Sequence, residues 1–276
     1  MKIDSHQHFW WYNAQEYGWI GPELSMLRRD FLPHDLAPLL KQSGIGGSVS
    51  VQARQTLAET QWLLDLSDEH PFIRGVVGWV DLCSPRVEEQ LERFAAHPRF
   101  RGVRHVLQDE PDDRFALRDD FLRGIGGLAQ YRLTYDILVF PRQLPAALEL
   151  AQRFPEQPFV VDHIAKPPII TGKIDSWNLN IRRLAQHENI YCKVSGLATE
   201  ADWKHWKKED FAPYLDVVFE CFGTKRIMLG SDWPVCTAAG EYAEIMRIPA
   251  DFIEQLSSDE QADVWGTNAK RFYRLE

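Results

Sequence analysis

Eight short β-rich runs separated by helical patterns predict an α/β fold, a (β/α)8 or TIM barrel, for this chain of 276 residues. Three observations carry that prediction. The runs number eight. Apolar spacing switches between strand-like and helix-like periods along the chain. Polar residues also gather at the end of nearly every run, where a barrel places its active site.

The strand candidates, in order, are KIDSHQHF from Lys2, GSVSVQA from Gly47, IRGVVGWVDL from Ile73, FRGVRHVL from Phe100, LTYDILVF from Leu133, FVVDHIA from Phe159, IYCKVSG from Ile190 and RIMLGSDW from Arg226. Between them, Val87, Leu91, Phe94 and Ala95 share one helical face, and Leu144, Ala147, Leu148 and Ala151 repeat the pattern. Ser84 and Pro85 read as N-cap and first helical residue, and Ser257 with Glu260 reads as a capping box. The connection after the first strand, residues 10–33, is long, aromatic and broken by Gly18, Gly21 and Pro22; it is expected to fold over the barrel mouth as a lid. A doubly wound open sheet is the competing architecture. It lacks support, because no GxGxxG follows the first strand and GIGG at 124–127 lies inside a helical pattern. No linker or low-complexity stretch divides the chain, which reads as one domain over 1–276.

Composition narrows the partners. Lys and Arg total 31 against 40 Asp and Glu, a net charge of -9, and no basic stripe is long enough to track phosphates, so nucleic acid is not expected. No apolar stretch approaches the ~20 residues that span a bilayer, and the opening MKIDSHQH lacks a signal peptide's order, so a cytoplasmic protein without a membrane partner is expected. The four cysteines show no CxxC spacing and predict neither disulfides nor a zinc knuckle. Ten tryptophans are many, and Trp10, Trp11, Trp79 and Trp233 are candidates to cover a sugar face.

Side chains that could carry chemistry sit at strand ends. They are His6 and His8, Gln52 with Arg54 beyond, Trp79 and Asp81, Arg104 and His105, Tyr135 and Asp136, Asp162 and His163 with Lys166 following, Lys193 and Ser195, and Asp232 before Trp233. Strand periodicity puts Asp4, His6 and His8 on one face. His-x-His on a strand suits a divalent metal that wants nitrogen ligands near ~2.1 Å; it also suits half-buried neutral histidines with no such role. Asp232 belongs to the strand that meets the first one when a barrel closes, and so could complete a site with the pair. Of Arg104 and His105, adjacent on one strand, only one can face inward. Lys193 reads equally well as a buried stem with a solvated tip.

In order along the chain, DSHQHFW, GVRH at 102–105, DHIAKP at 162–167, KVSGL at 193–197 and GSDWPV at 230–235 resemble the amidohydrolase superfamily, specifically its sugar-lactonase branch. The resemblance implies an amidohydrolase-like barrel and a hydrolase that opens an aldonolactone to its aldonic acid. Catalytic roles fall on His6, His8, His163 and Asp232, with Asp232 as the proton shuttle. Arg104, His105, Gln52, Tyr135 and Lys166 are then expected to bind the sugar hydroxyls, and Trp79 and Trp233 the ring face. Strand four ends in GVRH and strand five in Tyr135–Asp136, where the superfamily's full metal pattern has a bridging Lys or Glu and a histidine. A two-metal site is therefore not expected. What remains is one divalent ion, zinc first, on His6, His8, Asp232 and His163, or imidazoles that polarise the carbonyl without metal. Few arginines converge, which favours a neutral sugar lactone over a small anionic pyrone-type lactone. A metal-dependent decarboxylase on the same barrel and a non-catalytic binding protein are the remaining alternatives.

Overall fold

A computed structural model describes residues 1–276. Its strands are β1 (Lys2–Gln7), β2 (Ile45–Val51), β3 (Ile73–Gly78), β4 (Phe100–His105), β5 (Thr134–Ile137), β6 (Phe159–Val161), β7 (Ile190–Val194) and β8 (Ile227–Leu229). All seven successive pairs are parallel, in the order β1 to β8. The ring closes at its upper rim, where the His8 amide donates to the Trp233 carbonyl at 2.7 Å and the Asp232 amide to the His6 carbonyl at 2.8 Å.

Helices α1 (Pro33–Gln42), α2 (Leu57–Glu69), α3 (Val87–Ala95), α4 (Asp119–Leu128), α5 (Leu144–Arg153), α6 (Asp175–Ala185), α7 (Lys208–Phe222) and α8 (Tyr242–Ile253) form the outer ring. The apolar stripe of α3 buries Val87, Leu91 and Phe94 as its spacing predicts. That helix starts two residues later than Ser84–Pro85 predicted, with Arg86 as its N-cap, while the Ser84 hydroxyl accepts the Arg86 amide in the preceding turn. The Ser257–Glu260 capping box opens α9 (Ser258–Ala262), which a π turn joins to α10 (Asn268–Tyr273). No helix is long and apolar enough to cross a membrane, and the four cysteines are free.

Two apolar cores result. The larger packs strands against the outer helices; the smaller fills the barrel's lower interior, where Phe272, Tyr273 and Leu275 meet Ile3, Val49, Val77, Val160 and Met228. The C-terminal helix thus plugs the barrel from below and leaves only the upper end for a site.

The expected single face for Asp4, His6 and His8 is corrected by a bulge. From Asp4 to Gln7, β1 advances three residues while β2 advances two, from Ser48 to Ser50, so the alternation slips. Asp4 turns toward the helical layer, accepting from the Ser231 amide at 2.9 Å, the Ser231 hydroxyl at 2.6 Å and the Tyr242 hydroxyl at 3.0 Å. His6 and His8 stay inside.

Candidate active site

A cavity of about 720 Å³ opens above the strand ends, and its floor carries His8, Arg104, His163 and Asp232. His6 lies directly beneath, fully buried. His6 Nε2 and His8 Nε2 are 3.2 Å apart, and Asp232 Oδ1 stands 3.8 Å from the first and 3.3 Å from the second. Ligand atoms about 2.1 Å from one zinc ion lie about 3.4 Å apart at tetrahedral angles, so two imidazole nitrogens and one carboxylate oxygen here fit a divalent metal. His163 Nε2 approaches Asp232 Oδ1 from the opposite wall at 3.8 Å.

The partners place the His8 proton. His8 Nδ1 is 2.8 Å from the Val51 carbonyl, which only accepts, so Nδ1 carries the proton and Nε2 presents a lone pair to the site. His6 has an obligate donor against each ring nitrogen, Arg104 Nη1 3.3 Å from Nε2 and Lys193 Nζ 3.1 Å from Nδ1, with Asp162 Oδ1 also 3.3 Å from Nδ1. A lone pair is what a metal ligand offers. It is not what polarises a carbonyl, so the direct polarisation by imidazoles allowed by the sequence does not suit His8.

Burial holds the His6 imidazole well below its ordinary range and brings His163 down to about 4, outweighing the carboxylates beside each. Both rings are neutral at pH 7. For Asp232, burial works against the anion, but His163, His8 and His6 stand against the carboxylate and keep it below the usual range, so it is ionised.

Below the imidazoles lies an ionic layer. Asp162 accepts from Arg104 Nη1 at 3.0 Å and faces Lys193 Nζ at 3.1 Å; Lys193 donates to Asp136 at 2.5 Å, and Asp136 also accepts the Tyr273 hydroxyl at 2.8 Å. Two cations and two carboxylates balance in a volume closed to bulk solvent. Lys193 is fully buried, which replaces the solvated tip that the sequence allowed.

Two local features aim the upper side chains. After β6, residues 163–166 are four consecutive left-handed residues (φ 52, 47, 59 and 48°), a conformation disfavoured for every residue in the stretch. The Trp177 indole, donating to the Ile164 carbonyl at 2.7 Å, pins the turn, which swings His163 and Lys166 to the cavity. Opposite, Gly196 (φ +61) lies so close to His163 that a Cβ would come within 2.7 Å of Nδ1.

A family model described as amidohydrolase matches residues 3–275. The chain belongs to the amidohydrolase family. It is 40% identical over 286 residues to an L-fucono-1,5-lactonase from Burkholderia multivorans, an alignment spanning 100% of this chain and 96% of that protein. A second L-fucono-1,5-lactonase, from Burkholderia ambifaria, is 41% identical with the same coverage. Among solved structures, an amidohydrolase from Burkholderia multivorans with bound zinc superposes with a TM-score of 0.97 at 39% identity, covering 100% of both chains.

In this amidohydrolase the predicted site residues divide. His6, His8, His163 and Asp232 converge, and Arg104 and Lys166 reach the cavity. Gln52 stands behind Arg104, its side-chain oxygen accepting from Nε at 3.1 Å and Nη2 at 2.8 Å, so it positions the guanidinium rather than lining the cavity. Six expectations are corrected. His105 points to the outer layer, bound to Glu110 at 2.7 Å and stacked on Phe115, because its neighbour Arg104 takes the inward direction. Tyr135 packs between Phe121 and Phe159 for the same reason, with Asp136 inward. Trp79 donates to His105 behind the wall, and Trp233 is buried against Phe9 and Phe31. Trp10 is likewise buried and Trp11 points to solvent. The tryptophans on the cavity are Trp19, from the 10–33 segment, and Trp203, from the loop after β7. Glu16, Arg54, Glu200 and Trp203 were missed or left without a role because they lie in loops, where no periodicity marks direction; their one signal is position just after a strand.

Proposed function

We propose that this chain hydrolyses a neutral sugar lactone, with L-fucono-1,5-lactone as its foremost substrate, and that Asp232 moves the proton. The observation that carries the reading is an ionised carboxylate at the cavity floor, surrounded by imidazoles that burial keeps neutral. The likeness to two L-fucono-1,5-lactonases over the whole chain supports the substrate.

The steps balance on residues of the chain. Asp232 takes a proton from water as the water oxygen attacks the lactone carbonyl carbon. Arg104, fixed by Gln52 and Asp162, places its positive charge at the floor, where negative charge develops on the carbonyl oxygen. The carbon–ring-oxygen bond then breaks, and Asp232 returns its proton to the departing ring alkoxide. A single zinc ion on His6, His8 and Asp232 supplies Lewis acidity toward the carbonyl when bound. A second ion has no place in the neighbouring His6–Asp162–His163 group, since Lys193 and Arg104 already hold Asp162.

Charge supports the neutral substrate. Each cation on the cavity has a carboxylate partner: Arg54 has Glu16, Lys166 has Glu200 at 3.9 Å, and Arg104 has Asp162. No cation is left to bind the carboxylates of a pyrone dicarboxylate. The test is acid release from a panel of sugar lactones, with and without chelator. The expected result is turnover of L-fucono-1,5-lactone, one zinc per chain, and a loss of about 100-fold or more on metal removal. Failure to open any lactone in the panel would remove the reading.

A further inference from the structure

The loop after β2 and the 10–33 segment meet on the cavity wall through one side chain that the chemistry above does not use. Arg54 lies over the Tyr17 ring, 5.3 Å from its centroid, and pairs with Glu16 of the 10–33 segment through Nη1. Its buried Nε makes no hydrogen bond, and its side chain, 19% exposed, borders the cavity.

Glu59, in the first turn of α2, holds this arrangement from behind. Fully buried, it accepts the Ala53 amide at 3.0 Å and the Arg54 amide at 2.7 Å with one oxygen. Its other oxygen takes the Tyr17 hydroxyl at 3.4 Å and faces Arg54 Nε at 3.6 Å. One carboxylate thus ties the backbone of the β2 loop, the Arg54 side chain and the 10–33 segment together. A paired guanidinium and carboxylate side by side offer a donor and an acceptor, which matches the hydroxyls of a polyol ring.

We propose that Arg54, with Glu16, binds ring hydroxyls of the lactone and so sets specificity for a hydroxylated substrate, and that Glu59 is the positioning residue that presents it. This inference rests on the lactonase reading. Hydroxyl recognition is separable from carbonyl chemistry, because an unsubstituted lactone presents the same ester without the hydroxyls. The test compares L-fucono-1,5-lactone with δ-valerolactone in wild type, Arg54→Met, Glu59→Ala and the double variant. Arg54→Met is expected to raise KM for L-fucono-1,5-lactone about tenfold with kcat nearly kept, and to change kcat/KM for δ-valerolactone by less than about twofold. Glu59→Ala is expected to show the same split, and the double variant to be no worse than Arg54→Met alone.

Equal losses on both lactones, or no loss on either, would overturn the Arg54 assignment while leaving the lactonase reading standing. A wild-type KM in Glu59→Ala would overturn the positioning role. Wild type inactive on both lactones would sink the lactonase reading and this inference with it. If Glu59→Ala does not fold, Arg54→Met alone still decides the recognition step.

Discussion

The barrel interior has two halves that face the same problem, filling space inside a ring of strands, and solve it differently. The lower half is apolar, with Phe272, Tyr273 and Leu275 packed on Ile3, Val49, Val77, Val160 and Met228. The upper half is polar: Arg104, Asp162, Lys193 and Asp136 neutralise one another, and His6, His8, His163 and Asp232 stand above them. The apolar half sets stability alone. The ionic layer holds charges that contact His6 through Arg104, Lys193 and Asp162 and fix its direction, so stability and chemistry are coupled there. Tyr273 joins the halves, an apolar plug residue whose hydroxyl bonds Asp136.

The largest expected break in that contrast is Lys193→Met. It leaves Asp136 and Asp162 buried without their shared cation, and the loss of one partner from such a pair costs about 3–5 kcal/mol. Urea unfolding measures the cost. Turnover should fall as well, since Asp162 faces His6 Nδ1 at 3.3 Å.

Phe272→Ala is the counterpart below. Removing a ring that is 5% exposed should cost about 3 kcal/mol and leave kcat and KM unchanged in the folded protein. A change in kcat as large as that of Lys193→Met would erase the distinction between the halves.

A smaller effect separates the site floor from its wall. Burial raises the Glu59 carboxyl from 4.5 to about 7. The folded chain then keeps a proton that the unfolded chain has already released, so stability falls as pH rises from 4.5 toward 7. At about 1.4 kcal/mol per unit the fall attributable to Glu59 is about 3 kcal/mol at most. Glu59→Gln should flatten this part of the stability profile, read by thermal or urea unfolding across the range.

The strand ends were legible in the sequence because a barrel allows one place for polar side chains to collect. Seven strands lie inside the runs that predicted them, β2 starts two residues ahead of its run, at Ile45, and the neighbour relation that put Asp232 beside His6 and His8 holds. What the sequence did not show was direction. One extra residue in β1 turned Asp4 outward, and alternation sent His105 and Tyr135 to the helices while Arg104 and Asp136 turned in. The left-handed turn at 163–166 carries no glycine or asparagine to announce it, and DHIA read as continued strand. Lys193 looked like a solvated side chain because its partners, Asp136 and Asp162, come from other strands. Glu59 was hidden as an ordinary acidic residue in a first turn; its Thr56-x-x-Glu59 spacing signals a cap, and the Thr56 hydroxyl does accept the Glu59 amide at 3.1 Å, but the carboxylate reaches Ala53 and Arg54 instead.

The central claim is that Asp232 moves the proton beside the neutral imidazoles of His6 and His163. Turnover of L-fucono-1,5-lactone by Asp232→Asn, measured beside its thermal unfolding and zinc content, tests it most directly. The structure predicts a kcat lower by about 1,000-fold or more in a protein that still folds. Turnover within tenfold of wild type, with the fold intact, would contradict the claim.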